Sequence, residues 1–251
     1  MENFITSKKI IKEVLKTSPQ YVSKLYIANN AFGSDIEEII SIAKKKKVSF
    51  LSVPKQKILK IFNQGYSGIL LVLSHVKYLS LDEFLNKVRD KEYIVVLVLD
   101  EINDPQNFGA ILRTSAAFEI DGVIIQQWNH ASVTQTVVNV SRGGVYKVPI
   151  VKVKNVYNVL KKLKEENFWI ISTLPKNNNF YNSMELDKIS ELKKICVILG
   201  NESKGIRKNL ISESDGIITI EHSPEIDSLN VSVVCGIILY EIYKQKRKKR
   251  P

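Results

Sequence analysis

Three short stretches carry residue types that could do chemistry. NDPQNFGAILRTSAAF, residues 103–118, leads from an Asn- and Asp-rich approach into an apolar helical pattern that contains Arg113. GNESKGI, residues 200–206, sets Asn201, Glu202, Ser203 and Lys204 between Gly200 and Gly205. SLNVS, residues 228–232, opens the last apolar stretch with Ser228 and Asn230. A guanidinium stays protonated and forks onto phosphate or carboxylate. A pair of glycines lets backbone approach a ligand closely. Each stretch also has an ordinary reading: Arg113 snorkels or meets a carboxylate, the glycine loop is a turn with a helix cap, and Ser228 or Asn230 caps a helix.

Charge narrows the class of partner. Lys and Arg outnumber Asp and Glu by 37 to 26, a net of +11, which favours a polyanion through phosphate neutralisation. A lysine-rich proteome would give the same excess, so KKKK at 44–47 and the tail KQKRKKRP at 244–251 fit either view; the tail reads as frayed. Cys196 and Cys235 sit in apolar runs and read as buried thiols of a reducing compartment. Three scattered His and no Cys/His cluster argue against a metal. No apolar run is long enough to cross a bilayer and the N-terminus lacks a signal peptide's apolar block, so a cytoplasmic protein is expected.

The elements that must position those stretches follow from periodicity. In residues 1–76, SKKIIKEVLK, DIEEIISIAKKKK and KQKILKIF have helical spacing, and VSKLYIA, VSFLSV and SGILLVL read as strands. Residues 77–92 read as a helical linker. YIVVLVLD then has the continuous apolar character of a central parallel strand. From residue 93 strands are expected at 94–100, 122–126, 148–153, 168–173, 195–199 and 216–220. Helices are expected at 107–118, 134–141, 155–165, 206–213 and 229–246, and residues 177–179 as a loop. The fold class is α/β, with a parallel sheet covered on both faces behind a smaller α/β unit. In such sheets ligands gather at the strand carboxyl ends, where all three stretches fall.

DPxNxGAxxR, LGNExxG and SLNVS, in that order, resemble the SpoU (TrmH) family of RNA ribose 2′-O-methyltransferases, over roughly residues 93–243. The resemblance is strongest to members that act on a guanosine of 23S rRNA. It implies an α/β knot domain with a deep trefoil knot, a homodimer, and S-adenosyl-L-methionine as cofactor. The first unit is similar to the ribosomal-protein-like RNA-binding domain of the rRNA members, with Asn63 where they usually carry a histidine. Carried over by motif, Leu199, Gly200, Ile220, His222, Ser228 and Leu229 would contact the cofactor. Asn107, Arg113, Glu202, Ser228 and Asn230 would serve the reaction. The resemblance sets Arg113 at the ribose 2′-hydroxyl. Since a guanidinium is a poor base, gripping phosphate and the developing alkoxide suits it better than proton abstraction.

Two motifs depart from the family pattern. Ile220-Glu221-His222-Ser223-Pro224 stands for Ile-Pro-Met-x-Gly, and Pro224 stiffens that loop. Ser141-Arg142-Gly143-Gly144 stands for Ser-Ala-Gly-Ala, leaving Arg142 as an added phosphate contact or a surface change. A tRNA or resistance-type rRNA methyltransferase, and a non-catalytic RNA-binding or ribosome-assembly protein, remain the alternatives.

Overall fold

The computed structural model describes residues 3–175, 183–223 and 225–249. The expected loop at 177–179, the stiffening Pro224 and the last two residues of the basic tail lie outside them. The first unit begins with β1 (Asn3–Ile5), α1 (Lys8–Thr17), β2 (Val22–Ala28) and α2 (Ser34–Lys45). It continues with β3 (Phe50–Val53), α3 (Lys55–Ile61) and β4 (Ile69–Leu73). The strand order is β1-β4-β2-β3, with β2 parallel to β3 and antiparallel to β4. β1 gives no signal in the sequence because three residues cannot display a period; pairing makes it a strand, with Phe4 opposite Val72. Ile11 and Leu15 of α1 and Ile39 of α2 are buried against this sheet.

Residues 77–92 hold β5 (Tyr78–Leu79) as well as a helix, α4 (Leu81–Val88). Ser80 accepts from the Glu83 amide while the Glu83 carboxylate accepts from the Ser80 amide, a capping box. Then follow β6 (Ile94–Leu99), α5 (Pro105–Ala117), β7 (Gly122–Gln126), α6 (Gln135–Ser141), β8 (Ile150–Val153) and α7 (Val156–Glu165). The chain ends with β9 (Trp169–Thr173), β10 (Lys194–Leu199), α8 (Lys208–Ile211), β11 (Gly216–Ile218) and α9 (Val231–Lys249). The seven strands run β11-β9-β10-β6-β7-β8-β5, parallel at every pairing. β6 is buried along its whole length, which is why its sequence is a continuous apolar run. Alternate residues feed two cores: Leu97 and Leu99 join Phe108 and Leu112, and Val96 and Val98 join Phe84 and Leu160.

Two elements differ from expectation for local reasons. The helix expected at 206–213 shrinks to Lys208–Ile211, because Arg207 is held extended with its amide on Asp100 Oδ2 at 2.9 Å. The expected frayed tail is instead the end of α9, which continues to Lys249. Gln245 secures its last turns, donating to Glu241 Oε1 at 2.8 Å and to the Asp187 carbonyl at 3.3 Å. The two sheets are tied together at α6: Gln135 Oε1 accepts from the Phe4 amide at 2.7 Å, and its Nε2 donates to the Phe4 carbonyl. Nearby, Asn3 donates to the Tyr146 hydroxyl at 3.1 Å.

Candidate active site at the strand carboxyl ends

A parallel sheet brings all its strand ends to one edge, so the loops after β6, β10 and β11 are neighbours. After β6, Asp104 accepts from the Gln106 amide at 2.9 Å and Pro105 fills the first helical position. This starts α5 early enough to bury Asn107 in its first turn. After β10, Asn201 and Gly205 exchange backbone hydrogen bonds of 3.1 and 2.9 Å. Asn201 Oδ1 takes the Ser203 and Lys204 amides, and its Nδ2 donates to the Glu101 carbonyl at 2.7 Å. The loop closes so tightly that a Cβ on Gly200 would sit 2.5 Å from the Gly205 carbonyl carbon. Only glycine fits there, and Glu202 is displayed at the tip.

The base of this loop is fixed by charge. Asp100, fully buried at the end of β6, accepts from the Arg207 amide and from its Nε at 2.8 Å. Arg207 Nη2 also donates to Gln126 Oε1 at 2.9 Å, so the ends of β6 and β7 are joined to the loop after β10 through one guanidinium. After β11, Asn230 opens α9: its Oδ1 accepts from the Ser232 amide at 2.8 Å and the Ser232 hydroxyl at 2.6 Å.

The three stretches then meet. Asn230 Nδ2 donates to Asn107 Oδ1 at 3.0 Å, and Asn107 Nδ2 donates to Glu202 Oε1 at 2.6 Å. Both ends of both carboxamides are engaged, so their orientation is determined by the network. The relay ends on a carboxylate lining a cleft of about 990 Å³. Gly200, Ile220, His222, Ser228 and Leu229 line that cleft together with Glu202 and Asn230. Leu174 and Val234 add apolar wall. An apolar cleft of this size with a few convergent polar groups suits a small organic ligand.

Two expected residues stand elsewhere. The Leu199 side chain is fully buried in the sheet core, so only its backbone could serve a ligand. Arg113 is exposed on α5, about 9 Å along the helix axis from Asn107. It is not among the residues lining the cleft, and it makes no hydrogen bond or ion pair among the described residues. A Cβ on Gly144 would fall 2.8 Å from the Leu112 carbonyl oxygen, so the turn carrying Arg142 packs directly on the backbone beside Arg113.

Sequence reasoning missed Asp100, Arg207 and His130. Asp100 had a signal, a carboxylate ending a buried apolar run; the other two had none. His130 donates from Nδ1 to the Ala131 carbonyl at 2.8 Å and meets the Phe108 ring edge-on at 4.7 Å. That bond fixes the tautomer and leaves Nε2 a lone pair, buried without a partner among the described residues. Burial pushes the His130 pKa down, assisted by Lys152 and opposed by the Ala131 carbonyl and Glu202. Burial raises both cysteine thiols, which are free and inert. Among the described residues no cluster of three His, Cys, Asp or Glu could hold a metal, and no helix is long and apolar enough to cross a membrane.

Comparison with known proteins gives the family and the fold. The model of the SpoU rRNA Methylase family matches residues 94–240, and that for RNA 2′-O ribose methyltransferase substrate binding matches residues 8–79. A Staphylococcus aureus (strain COL) protein whose name assigns it to the TrmH family of tRNA/rRNA methyltransferases is 30% identical over 98% of this chain and 97% of its own. The AdoMet-bound rRNA methyltransferase of Sinorhizobium meliloti superposes with a TM-score of 0.73 at 19% identity, covering 100% of this chain and 88% of that one. The SpoU methyltransferase AviRb of Streptomyces viridochromogenes, in complex with AdoMet, gives 0.75 at 17% identity, covering 98% and 91%. At such identities the structural likeness establishes the fold: a parallel-sheet methyltransferase domain behind a substrate-binding domain.

Proposed function

The chain belongs to the SpoU rRNA methylase family and is an RNA methyltransferase; on that premise we propose that it methylates a ribose 2′-hydroxyl of 23S rRNA, at a guanosine, in the cytoplasm. The observation that carries this reading is the Asn230–Asn107–Glu202 relay at the wall of one cleft. S-adenosylmethionine, when bound, supplies a methyl group on a sulfonium to an incoming oxygen. Gly200, Ile220 and Leu229 would hold it, largely through backbone groups, against the apolar wall of Leu174 and Val234.

The residues of the chain then divide the remaining work. Glu202, oriented by Asn107, gives the cleft a fixed negative charge that suits a sulfonium. Arg113 grips the phosphate next to the target ribose and stabilises the oxygen as its proton passes to solvent water. Because Arg113 is exposed and has no hydrogen-bond or ion-pair partner among the described residues, we assign it to the cleft of a second copy in a homodimer. The exposed Val233 and Tyr240 of α9, the helix whose Gly236 lies against Thr114 of α5, offer an apolar face for that contact. The family plan further implies a trefoil knot in the segment leading to α9. The N-terminal unit selects the RNA, and ribosomal RNA suits it because a splayed loop needs a second contact surface.

Calorimetric titration with S-adenosylmethionine, followed by methyl transfer to ribosomal and transfer RNA, tests the reading. Binding with a stoichiometry of about one per chain and label on 23S rRNA are expected. Label confined to tRNA would move the substrate; absence of cofactor binding by the folded protein would remove the activity.

A further inference from the structure

We propose that Trp128 is a stacking platform for an unpaired base of the RNA presented to the cleft. This rests on the methyltransferase reading and adds a residue that chooses how the RNA is seated. Trp128 is 65% exposed at the carboxyl edge of the sheet, immediately beyond β7. Its ring has no aromatic or hydrogen-bonding partner among the described residues. The chain's other tryptophan, Trp169, begins β9 and so lies at the opposite, amino edge.

The loop that carries Trp128 is firmly held although the ring is free. Gln127 donates its amide to the Val153 carbonyl at 2.8 Å, and Ala131 donates to the Ile102 carbonyl at 2.9 Å. His130 lies edge-on to Phe108, the residue next to Asn107. Asn129 turns the chain in the left-handed region, at φ 54°, a conformation Asn tolerates. A large flat side chain on a rigid loop loses little freedom when something stacks on it.

Position and charge argue for RNA as the occupant. The exposed Lys152 and Lys154 flank Val153, whose carbonyl holds Gln127, and Arg207 holds Gln126 on the other side. Beyond Trp128 the loop meets Tyr78 through the Val133 backbone and ends at Gln135, which is bonded to β1 of the N-terminal unit. The loop therefore runs from the neighbourhood of Glu202, whose charge His130 feels, to the N-terminal unit. Single-stranded bases are commonly read by stacking on such aromatic side chains amid cations.

A Trp169→Phe protein leaves Trp128 as the sole tryptophan reporter. Its fluorescence is titrated with a single-stranded oligoadenylate 12-mer and with an abasic ribose-phosphate 12-mer of equal charge. Quenching by the first and little by the second is expected. In methyl transfer, Trp128→Ala should raise KM for RNA roughly ten- to a hundredfold with kcat nearly unchanged, and Trp128→Phe should recover most of it. Equal quenching by both oligomers, an unchanged KM, or a change of oligomeric state in Trp128→Ala would overturn the proposal, the last by making the ring a contact between copies. If the wild-type protein binds no S-adenosylmethionine, the methyltransferase reading fails, while the oligoadenylate titration still decides the stacking.

Discussion

Asn230 donates its side-chain amide to Asn107 Oδ1 at 3.0 Å, joining the start of the last helix to the start of α5 across 123 residues of sequence. Asn107 passes the same polarity on to Glu202 at 2.6 Å. Neither asparagine can be flipped without setting like groups against each other, so the three loops are locked in one register.

If Arg113 serves the cleft of a second copy, complementation follows. Arg113→Ala and Arg113→Lys should each lower kcat by about a hundredfold or more, with S-adenosylmethionine affinity unchanged by calorimetry. Heterodimers of an Arg113→Ala chain with a Glu202→Gln chain should regain one working site. No recovery in such mixtures would place Arg113 at its own chain's cleft.

Gly200→Ala sets a methyl 2.5 Å from the Gly205 carbonyl carbon, closer than any packing allows. The loop must open, moving Glu202. A loss of about 1–3 kcal/mol in urea unfolding is expected, together with at least tenfold weaker cofactor binding. Gly205 has open space around the position of a Cβ.

Arg207→Ala strands the buried Asp100 carboxylate, which then keeps no cationic partner among the described residues. About 3 kcal/mol of stability should go, measured by chemical denaturation. Asp100→Asn, which leaves no buried charge, should cost less than Arg207→Ala.

The buried His130 gives stability a pH dependence of determinate sign. Its folded pKa is lowered, so the folded protein prefers neutral imidazole and the unfolded chain binds the proton more readily. This contribution is fully present above the ordinary histidine value of about 6.5 and is lost as pH falls below it. Thermal midpoints between pH 5 and 7.5 should therefore slope more steeply for the wild type than for His130→Asn.

The three motifs were legible because each follows an apolar strand in one parallel sheet, and sheet geometry alone brings strand ends together. β6 and β10 announced themselves as unbroken apolar runs, buried on both faces. β1 and β5 did not, because strands of three and two residues exist only through their partners. Arg207 was invisible for a different reason: its partners are Asp100 and Gln126, 107 and 81 residues away. Arg113 was found by type and spacing, and its exposure fits the snorkelling that its helical pattern allowed, between the buried Leu112 and Ser115.

In the function proposed, Asn107, Glu202 and Asn230 hold the cleft in which a ribose oxygen receives a methyl group. The most direct test uses ribosomal RNA from cells lacking this gene, S-adenosylmethionine with a deuterated methyl, and mass analysis of the digested nucleosides. The wild type should yield one 2′-O-methylated nucleoside carrying the label, and Asn107→Ala should yield about a hundredfold less at saturating S-adenosylmethionine. Label on a base, or equal ribose labelling by Asn107→Ala, would rule out this role for the three residues.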